Sequence, residues 1–161
     1  MREKDDGVRP RRRSGVAPRY RRPPAEEVSR AARRAVRGGR ASFGSLAEFR
    51  SAVLNSLRRD EPLATVGGER LRRLLVGVGG VRLSVHYTER ANAQLPDRCP
   101  VCRSELTPIR NRTLTGETID LGRKCSRCDY WTHAARRVPV RYIISRAGGP
   151  EKPRTKAVGR A

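Results

Sequence analysis

The chain has 161 residues, and 37 Lys and Arg against 16 Asp and Glu give it a formal net charge of +21. Its length accommodates one ordinary domain or two very small ones. Leu, Ile, Val and Phe supply 32 positions, a share near the border of the disordered class that excludes a uniformly packed globule. No apolar stretch approaches the ~20 residues of a membrane span, and the amino terminus lacks the apolar region of a secretory signal. We therefore expect a cytosolic protein.

Charge and apolar residues occupy different parts of the chain. Residues 1–42 carry net +9 and residues 146–161 net +4, and together they contain five Val but no Leu, Ile or Phe. Such segments bury too little surface to offset the ordering entropy, so both are predicted to be disordered basic tails. Residues 43–145 keep net +8 and form the folded body. A polyanion would relieve the repulsion among these charges, which favours nucleic acid over a membrane surface as the partner.

The amino-terminal extension is predicted to hold an extended cationic arm followed by a helix. Arginine and proline mix up to residue 24, which opposes helix and sheet. Over residues 25–37, acids in the first turn, arginines in the last turn and a following glycine predict a helix. Four arginines recur on one face of it, which is either a recognition surface for RNA or only a solvated charged face. The candidate RNA-binding residues here are Arg11, Arg12, Arg13, Arg19, Arg21, Arg22, Arg30, Arg33, Arg34 and Arg37.

Residues 43–96 are predicted to form a small lobe in the order α-β-α-β. Ser45 followed by Glu48 is a capping box, and a helix with one apolar stripe runs from there to about residue 58. Leu63–Val66 is predicted as a short strand and residues 69–76 as a short helix. Apolar and polar residues then alternate from Val81 to Tyr87, which predicts a half-buried strand. If the two strands are parallel, the helix between them is a right-handed crossover.

The four cysteines form two Cys-x-x-Cys pairs, Cys99 with Cys102 and Cys125 with Cys128, separated by 22 residues. Two such pairs can present four sulfurs tetrahedrally, which suits one closed structural Zn²⁺. Two disulfides or a redox site are the alternatives; disulfides are rare in the cytosol, and one reactive pair would leave the other unexplained. His133 could be a ligand only by displacing a cysteine. A site filled by four cysteines has no open position for catalysis.

The insert between the pairs is predicted to be a β-hairpin that turns at Thr115–Gly116, with a third strand at Val138–Ser145. With the two cysteine pairs, this arrangement over residues 97–145 resembles the zinc-ribbon superfamily. Zinc ribbons occur in archaeal and eukaryotic ribosomal proteins, translation initiation factors and RNA polymerase subunits. The predicted fold class is therefore α+β: a small αβαβ lobe, then a three-stranded zinc ribbon, with disordered basic tails at both ends.

By the spacing of its cysteines and a following tryptophan, the ribbon is also similar to that of transcription-elongation factor S. In that family, an adjacent acidic pair at the hairpin tip helps bind a catalytic metal. Here the tip offers only Glu117, with Asp120 further along, and Asp129 replaces the usual glycine after the last cysteine. The resemblance therefore implies the ribbon fold and not transcript cleavage.

Aromatic residues next to arginines can stack on unpaired bases while the guanidinium groups bind phosphates. In ribbons one aromatic commonly packs as core, and we assign that role to Trp131 and expect Tyr130 to be exposed. The candidate RNA-binding residues of this region are Tyr130, Arg136, Arg137 and Arg141.

These features favour a ribosomal or ribosome-associated structural protein of archaeal type, without enzymatic activity. The expected partners are ribosomal RNA and neighbouring ribosomal proteins, with no membrane and no small-molecule substrate. Arginine, present at 33 positions against 4 lysines, binds phosphate through two parallel hydrogen bonds and stacks on bases. Alternatives are a polymerase-associated or DNA-binding zinc-ribbon transcription factor, and an enzyme or enzyme subunit acting on nucleic acid.

Overall fold

The structure is a computed structural model that describes residues 20–38, 40, 42–91 and 94–148. Its helices are α1 (Ala25–Arg37), α2 (Leu46–Arg58) and α3 (Gly68–Leu75). Its strands are β1 (Ser42–Phe43), β2 (Val81–Arg90), β3 (Leu106–Arg112), β4 (Thr118–Cys125), β5 (Trp131–Thr132) and β6 (Arg136–Arg146). They form two antiparallel sheets, in the orders β1-β6-β2 and β3-β4-β5. The predicted α+β class is confirmed, whereas the arm before residue 20 and the tail beyond residue 148 lie outside the described residues.

Helix α1 is part of the hydrophobic core, although the sequence placed it in a basic extension. Its buried residues are Val28, Ala31, Ala32 and Val36, which recur at helical spacing and pack against α2 and α3. The reason for the difference is that alanines let helices approach closely while adding little to the apolar content by which the folded body was delimited. The helix itself has the predicted bounds, with acids in the first turn and Arg34 and Arg37 in the last.

The capping box of α2 is present in a modified form. The Ser45 hydroxyl accepts a hydrogen bond from the Glu48 amide at 3.1 Å, as predicted. The Glu48 carboxylate accepts from the amide of Gly44 at 2.9 Å instead of from that of Ser45. This cap starts α2 in the orientation that buries Phe49, which meets Phe43 edge to face with ring centroids 4.9 Å apart. Helix α3 adds its buried Leu71 and Leu75 to the same core, which we call the helical core.

The predicted strand Leu63–Val66 is only an isolated parallel bridge between Arg21 and Ala64. The amide of Arg21 donates to the carbonyl of Leu63 at 3.0 Å, and the amide of Thr65 donates to the carbonyl of Arg21 at 2.9 Å. No parallel pairing with β2 forms in the described residues, so the α3 segment is not a crossover between parallel strands. The segment instead ties the chain before α1 to the loop after α2.

The strand predicted at Val138–Ser145 exists as β6, but it pairs with β2 instead of completing the ribbon sheet. Its partners are antiparallel, with Leu83 opposite Ile144 and Val85 opposite Tyr142. Such pairing places apolar side chains of both strands on one face. The sequence near β6 does not show this pairing, because β2 lies about 55 residues earlier in the chain. The hairpin β3–β4 is present as predicted, and the two-residue strand β5 is its third member.

One face of the β2–β6 pair contacts two separate clusters of buried residues. At one end, Val81 and Ile144 are part of the helical core. At the other end, Val85 and Tyr87 pack against the cysteines and Tyr130, a group we call the cysteine core. Leu83 touches both. The two cores are therefore joined through a shared sheet and not through a flexible linker.

Gly122 is the position where β5 comes closest to β4. It lies beside an irregularity at which the pairing shifts from Ile109–Gly122 to Arg110–Asp120. A Cβ at Gly122 would lie 2.0 Å from the Thr132 carbonyl oxygen, and the residue has a φ of +156°. Only glycine allows this approach of two backbones.

We expect Gly122→Ala to lower the free energy of unfolding by about 1–3 kcal/mol, the usual cost of forcing atoms into packed space. Chemical denaturation of the full chain measures it. Gly79→Ala is the matched control, because nothing lies within 4 Å of a Cβ there. Equal stabilities of the two variants would show that β5 does not constrain Gly122.

Candidate metal centre and cationic surface

All four cysteine sulfurs converge on one point between the two Cys-x-x-Cys turns, which we call the first knuckle (99–102) and the second knuckle (125–128). The four sulfurs lie within 4.8 Å of one another, and the cysteines are free thiols. The Sγ atoms of Cys99 and Cys128 are 3.5 Å apart, and those of Cys102 and Cys125 are 3.4 Å apart. Sulfurs placed about 2.3 Å from a tetrahedral metal would be about 3.8 Å apart. The arrangement fits one metal ion.

Backbone hydrogen bonds shape both knuckles. In the first, the Arg103 amide donates to the Cys99 carbonyl at 2.9 Å, and the Cys99 amide donates to the Ser104 carbonyl at 2.8 Å. Arg103 adopts a φ of +68°, the left-handed conformation that lets the chain reverse there. In the second, the Arg127 amide points at the sulfur of Cys125 at 3.4 Å. Amides aimed at sulfur favour the thiolate, which is the form that binds metal.

The hydrogen bond between the thiols of Cys99 and Cys128 shifts their pKa values in opposite directions. The hydrogen bond from Cys128 lowers the pKa of the Cys99 thiol to about 5. The same hydrogen bond and burial raise the pKa of the Cys128 thiol. A bound metal would take the place of the proton shared between these two sulfurs.

The cysteine core is completed by Tyr130 and not by Trp131, which reverses the prediction. Tyr130 is 1% exposed, and its hydroxyl donates to the Arg137 carbonyl at 2.9 Å. Trp131 is 36% exposed. Successive residues of a strand point to opposite faces, and the amide of Cys125 bonds to the carbonyl of Tyr130 at 2.8 Å, which fixes Tyr130 on the inner face. His133 lies outside the sulfur cluster and meets the Trp131 ring at 4.3 Å.

Arg137 lies between two aromatic rings. Its guanidinium carbon is 4.3 Å from the centre of the Tyr87 ring and 4.2 Å from that of the Trp131 ring. One ring belongs to β2 and the other to β5, so the guanidinium joins the two sheets. Trp131, which was predicted to be core, and Tyr87 therefore stack on an arginine of the same chain, whereas Tyr130, which was predicted to stack on bases, is buried.

The other predicted binding residues have diverse positions. Arg21 pairs with Glu27 at 2.9 Å, Arg34 bonds to Ser56 at 3.0 Å, and Arg141 donates to the carbonyl of Gly44 at 2.9 Å. Arg22, Arg30 and Arg37 are exposed, whereas Arg33 and Arg136 are half-buried. Arg11, Arg12, Arg13 and Arg19 lie outside the described residues.

At the hairpin tip, the Asp120 carboxylate and the backbone of Glu117 have partners within the hairpin. The carboxylate of Asp120 accepts from Arg110 at 3.0 Å, and the amide of Glu117 donates to the Thr113 hydroxyl at 3.0 Å. Among the described residues, the cysteines are the one group of potential ligands close enough to hold a metal.

Sequence reasoning missed a group of arginines around an open cleft of about 700 Å³. The cleft lies between the helices and the knuckles and is lined by Arg22, Arg70, Arg73, Arg98, Arg103 and Arg127. We call it the cationic cleft. The available signal was that Arg98, Arg103 and Arg127 each lie next to a cysteine in the sequence.

We expect Cys125→Ser to abolish metal binding and to free the hairpin β3–β4 while α1 and α2 remain folded. Metal ions contribute roughly 10–16 kcal/mol to small cysteine sites, whereas Phe49, Leu71 and the rest of the helical core lie apart from the cysteines. Hydrogen exchange should show lost protection in β3 and β4 only, and elemental analysis should fall from about one ion per chain to none. Loss of protection throughout α1 and α2 would show that the helical core depends on the metal.

Arg137→Gln should lower the free energy of unfolding by about 1–2 kcal/mol, because it removes two cation–π contacts. Arg137→Lys should lower the free energy of unfolding less than Arg137→Gln, because lysine keeps the positive charge. The single tryptophan of the chain reports the change, since its emission should shift when the guanidinium leaves its ring. Arg136→Gln is the control with the same loss of charge, and equal effects at both positions would exclude a specific role of the stack.

No helix in the described ranges is long and apolar enough to cross a membrane. Searches with the whole chain found no matching family model, no matching curated protein and no matching solved structure.

Proposed function

We propose that this protein is a ribosomal or ribosome-associated structural protein that binds folded ribosomal RNA. The observation that carries the proposal is the excess of guanidinium groups on the folded body itself. The described residues hold 25 arginines against 12 Asp and Glu, and exposed arginines such as Arg37, Arg73 and Arg112 have no ion pair within those ranges. Such a surface favours a polyanionic partner.

The metal that fits this proposal is one structural Zn²⁺ held by Cys99, Cys102, Cys125 and Cys128. Four sulfurs in a compact cluster suit the soft, tetrahedral preference of zinc. The ion would hold the knuckles and the hairpin in place, and four protein ligands would leave it no position for a substrate. The metal would then act in folding, which agrees with the proposed non-enzymatic role and with the resemblance of residues 97–145 to zinc ribbons.

Arginine chemistry favours folded RNA over other polyanions. A guanidinium binds phosphate through two parallel hydrogen bonds and also stacks on exposed bases, and folded RNA presents crowded backbones together with unpaired bases. The basic residues 1–19 would order on such a surface and extend the contact beyond the folded body. The protein would then be cytoplasmic and bound to the ribosome, beside other ribosomal proteins.

We expect the native protein to sediment with ribosomal subunits in a low-salt gradient and to dissociate as salt rises. Log K should fall with log salt concentration by roughly 0.7–0.9 for each phosphate contacted. Immunoblots of gradient fractions at two ionic strengths measure this. Cosedimentation with RNA polymerase, or binding to duplex DNA without subunit association, would replace the proposal by a DNA-binding or polymerase-associated factor.

A further inference from the structure

The cationic cleft has two walls from different parts of the chain. Arg22, Arg70 and Arg73 come from the segment before α1 and from α3, and we call them the helical wall. Arg98, Arg103 and Arg127 flank the knuckles, and we call them the knuckle wall. The knuckle wall approaches α3 and the turn after it, since Arg103 pairs with Glu69 at 3.3 Å and a Cβ added at Gly77 would lie 3.9 Å from the guanidinium of Arg127. Six guanidinium groups therefore surround one open space.

Almost none of this charge is compensated within the described residues. The one ion pair recorded for the six arginines joins Arg103 to Glu69 at 3.3 Å. Burial and, second, the charge of Arg22 lower the pKa of Arg70. One terminal nitrogen of Arg70 donates to the Pro23 carbonyl at 2.6 Å, whereas the other is buried without a hydrogen-bond partner. Such a buried donor costs stability until an acceptor reaches it.

The negative charge of a metal centre would account for the three arginines of the knuckle wall and not for those of the helical wall. Four thiolates on a divalent ion carry two net negative charges, which the adjacent arginines of the knuckle wall would offset. Arg70 and Arg73 of the helical wall belong to α3, and neither adjoins a cysteine in the sequence. Their convergence with the knuckle wall fits an anion that enters from outside and meets both walls.

We propose that the cationic cleft is a binding site for backbone phosphates of RNA, and that it exists only while a metal holds the knuckles. This inference rests on the proposed function and deepens it by locating the contact. A guanidinium from each wall can bind the same or successive phosphates through parallel hydrogen bonds. Because the knuckle wall is positioned by the cysteines, loss of the metal removes half of the site. Metal content then sets the affinity for RNA.

The test compares a cleft variant with a variant of equal charge elsewhere. Arg73→Gln/Arg127→Gln removes one exposed arginine from each wall and leaves the bonded Arg70 intact. Arg59→Gln/Arg112→Gln is the control, since both side chains are exposed and outside the cleft. Fluorescence anisotropy with a short labelled RNA hairpin, at several salt concentrations, gives the affinity and the number of phosphate contacts.

We expect the cleft variant to bind the hairpin at least about tenfold more weakly, with its salt slope reduced by roughly 1.4–1.8, the loss of two phosphate contacts. The control should change the affinity by less than about threefold. Chelation of the metal should weaken the wild-type protein as much as the cleft variant and weaken the cleft variant little further. Equal losses in both variants, or unchanged wild-type affinity after chelation, would overturn the inference.

A second measurement separates this inference from the proposed function. Inorganic pyrophosphate is titrated into the metal-loaded, isotopically labelled chain, and the side-chain Nε–H signals of Arg73 and Arg127 are followed by NMR. Saturable shifts of these signals, absent after chelation, support the cleft even if no RNA binds, in which case the proposed function fails alone. RNA binding that neither pyrophosphate nor the cleft variant weakens overturns the cleft and leaves the proposed function standing.

Discussion

The antiparallel pairing of β2 with β6 is the contact on which both halves of this small protein depend. Each core alone is small, and the helical core draws on alanines as well as on larger side chains. The same face of the pair covers the helical core with Ile144 and the cysteine core with Tyr87. A cysteine cluster that fits one metal ion and a group of three helices thereby share one support, and the cationic cleft forms where the two meet.

Some arginines of this chain hold the fold together, and others line the cationic cleft. Several guanidinium groups donate to backbone carbonyls that regular structure leaves without partners, as Arg50 does to Val66 at 2.7 Å and Arg141 to Gly44 at 2.9 Å. Arg137 joins two sheets through its stack with aromatic rings. Lysine lacks the planar fork that these contacts use. Part of the arginine content is thus structural, whereas six other arginines line the cationic cleft.

Local signals in the sequence predicted local structure well. The bounds of α1 and α2, the hairpin and the convergence of four cysteines all depend on residues a few positions apart or on cysteine spacing, and all are present. The predictions that were wrong concern contacts between residues far apart in the chain. β6 pairs with a strand about 55 residues earlier, Tyr130 packs against Tyr87 of β2 with ring centroids 5.7 Å apart, and α1 packs against helices that follow it. The cationic cleft could not be predicted because its two walls meet only in the folded chain.

The position of the cysteines links the proposed structural metal to the proposed binding of phosphate. Of the six cleft arginines, those of the knuckle wall lie within two residues of a cysteine, so the geometry that satisfies the sulfurs also fixes where these guanidinium groups point. Repulsion between the two walls opposes the folded arrangement, and in the proposed metal-bound state the free energy of metal binding, which exceeds any single surface interaction, would overcome it. An anion that entered the cleft would relieve this repulsion. Under the two proposals, folding of the metal centre and affinity for phosphate depend on one set of contacts.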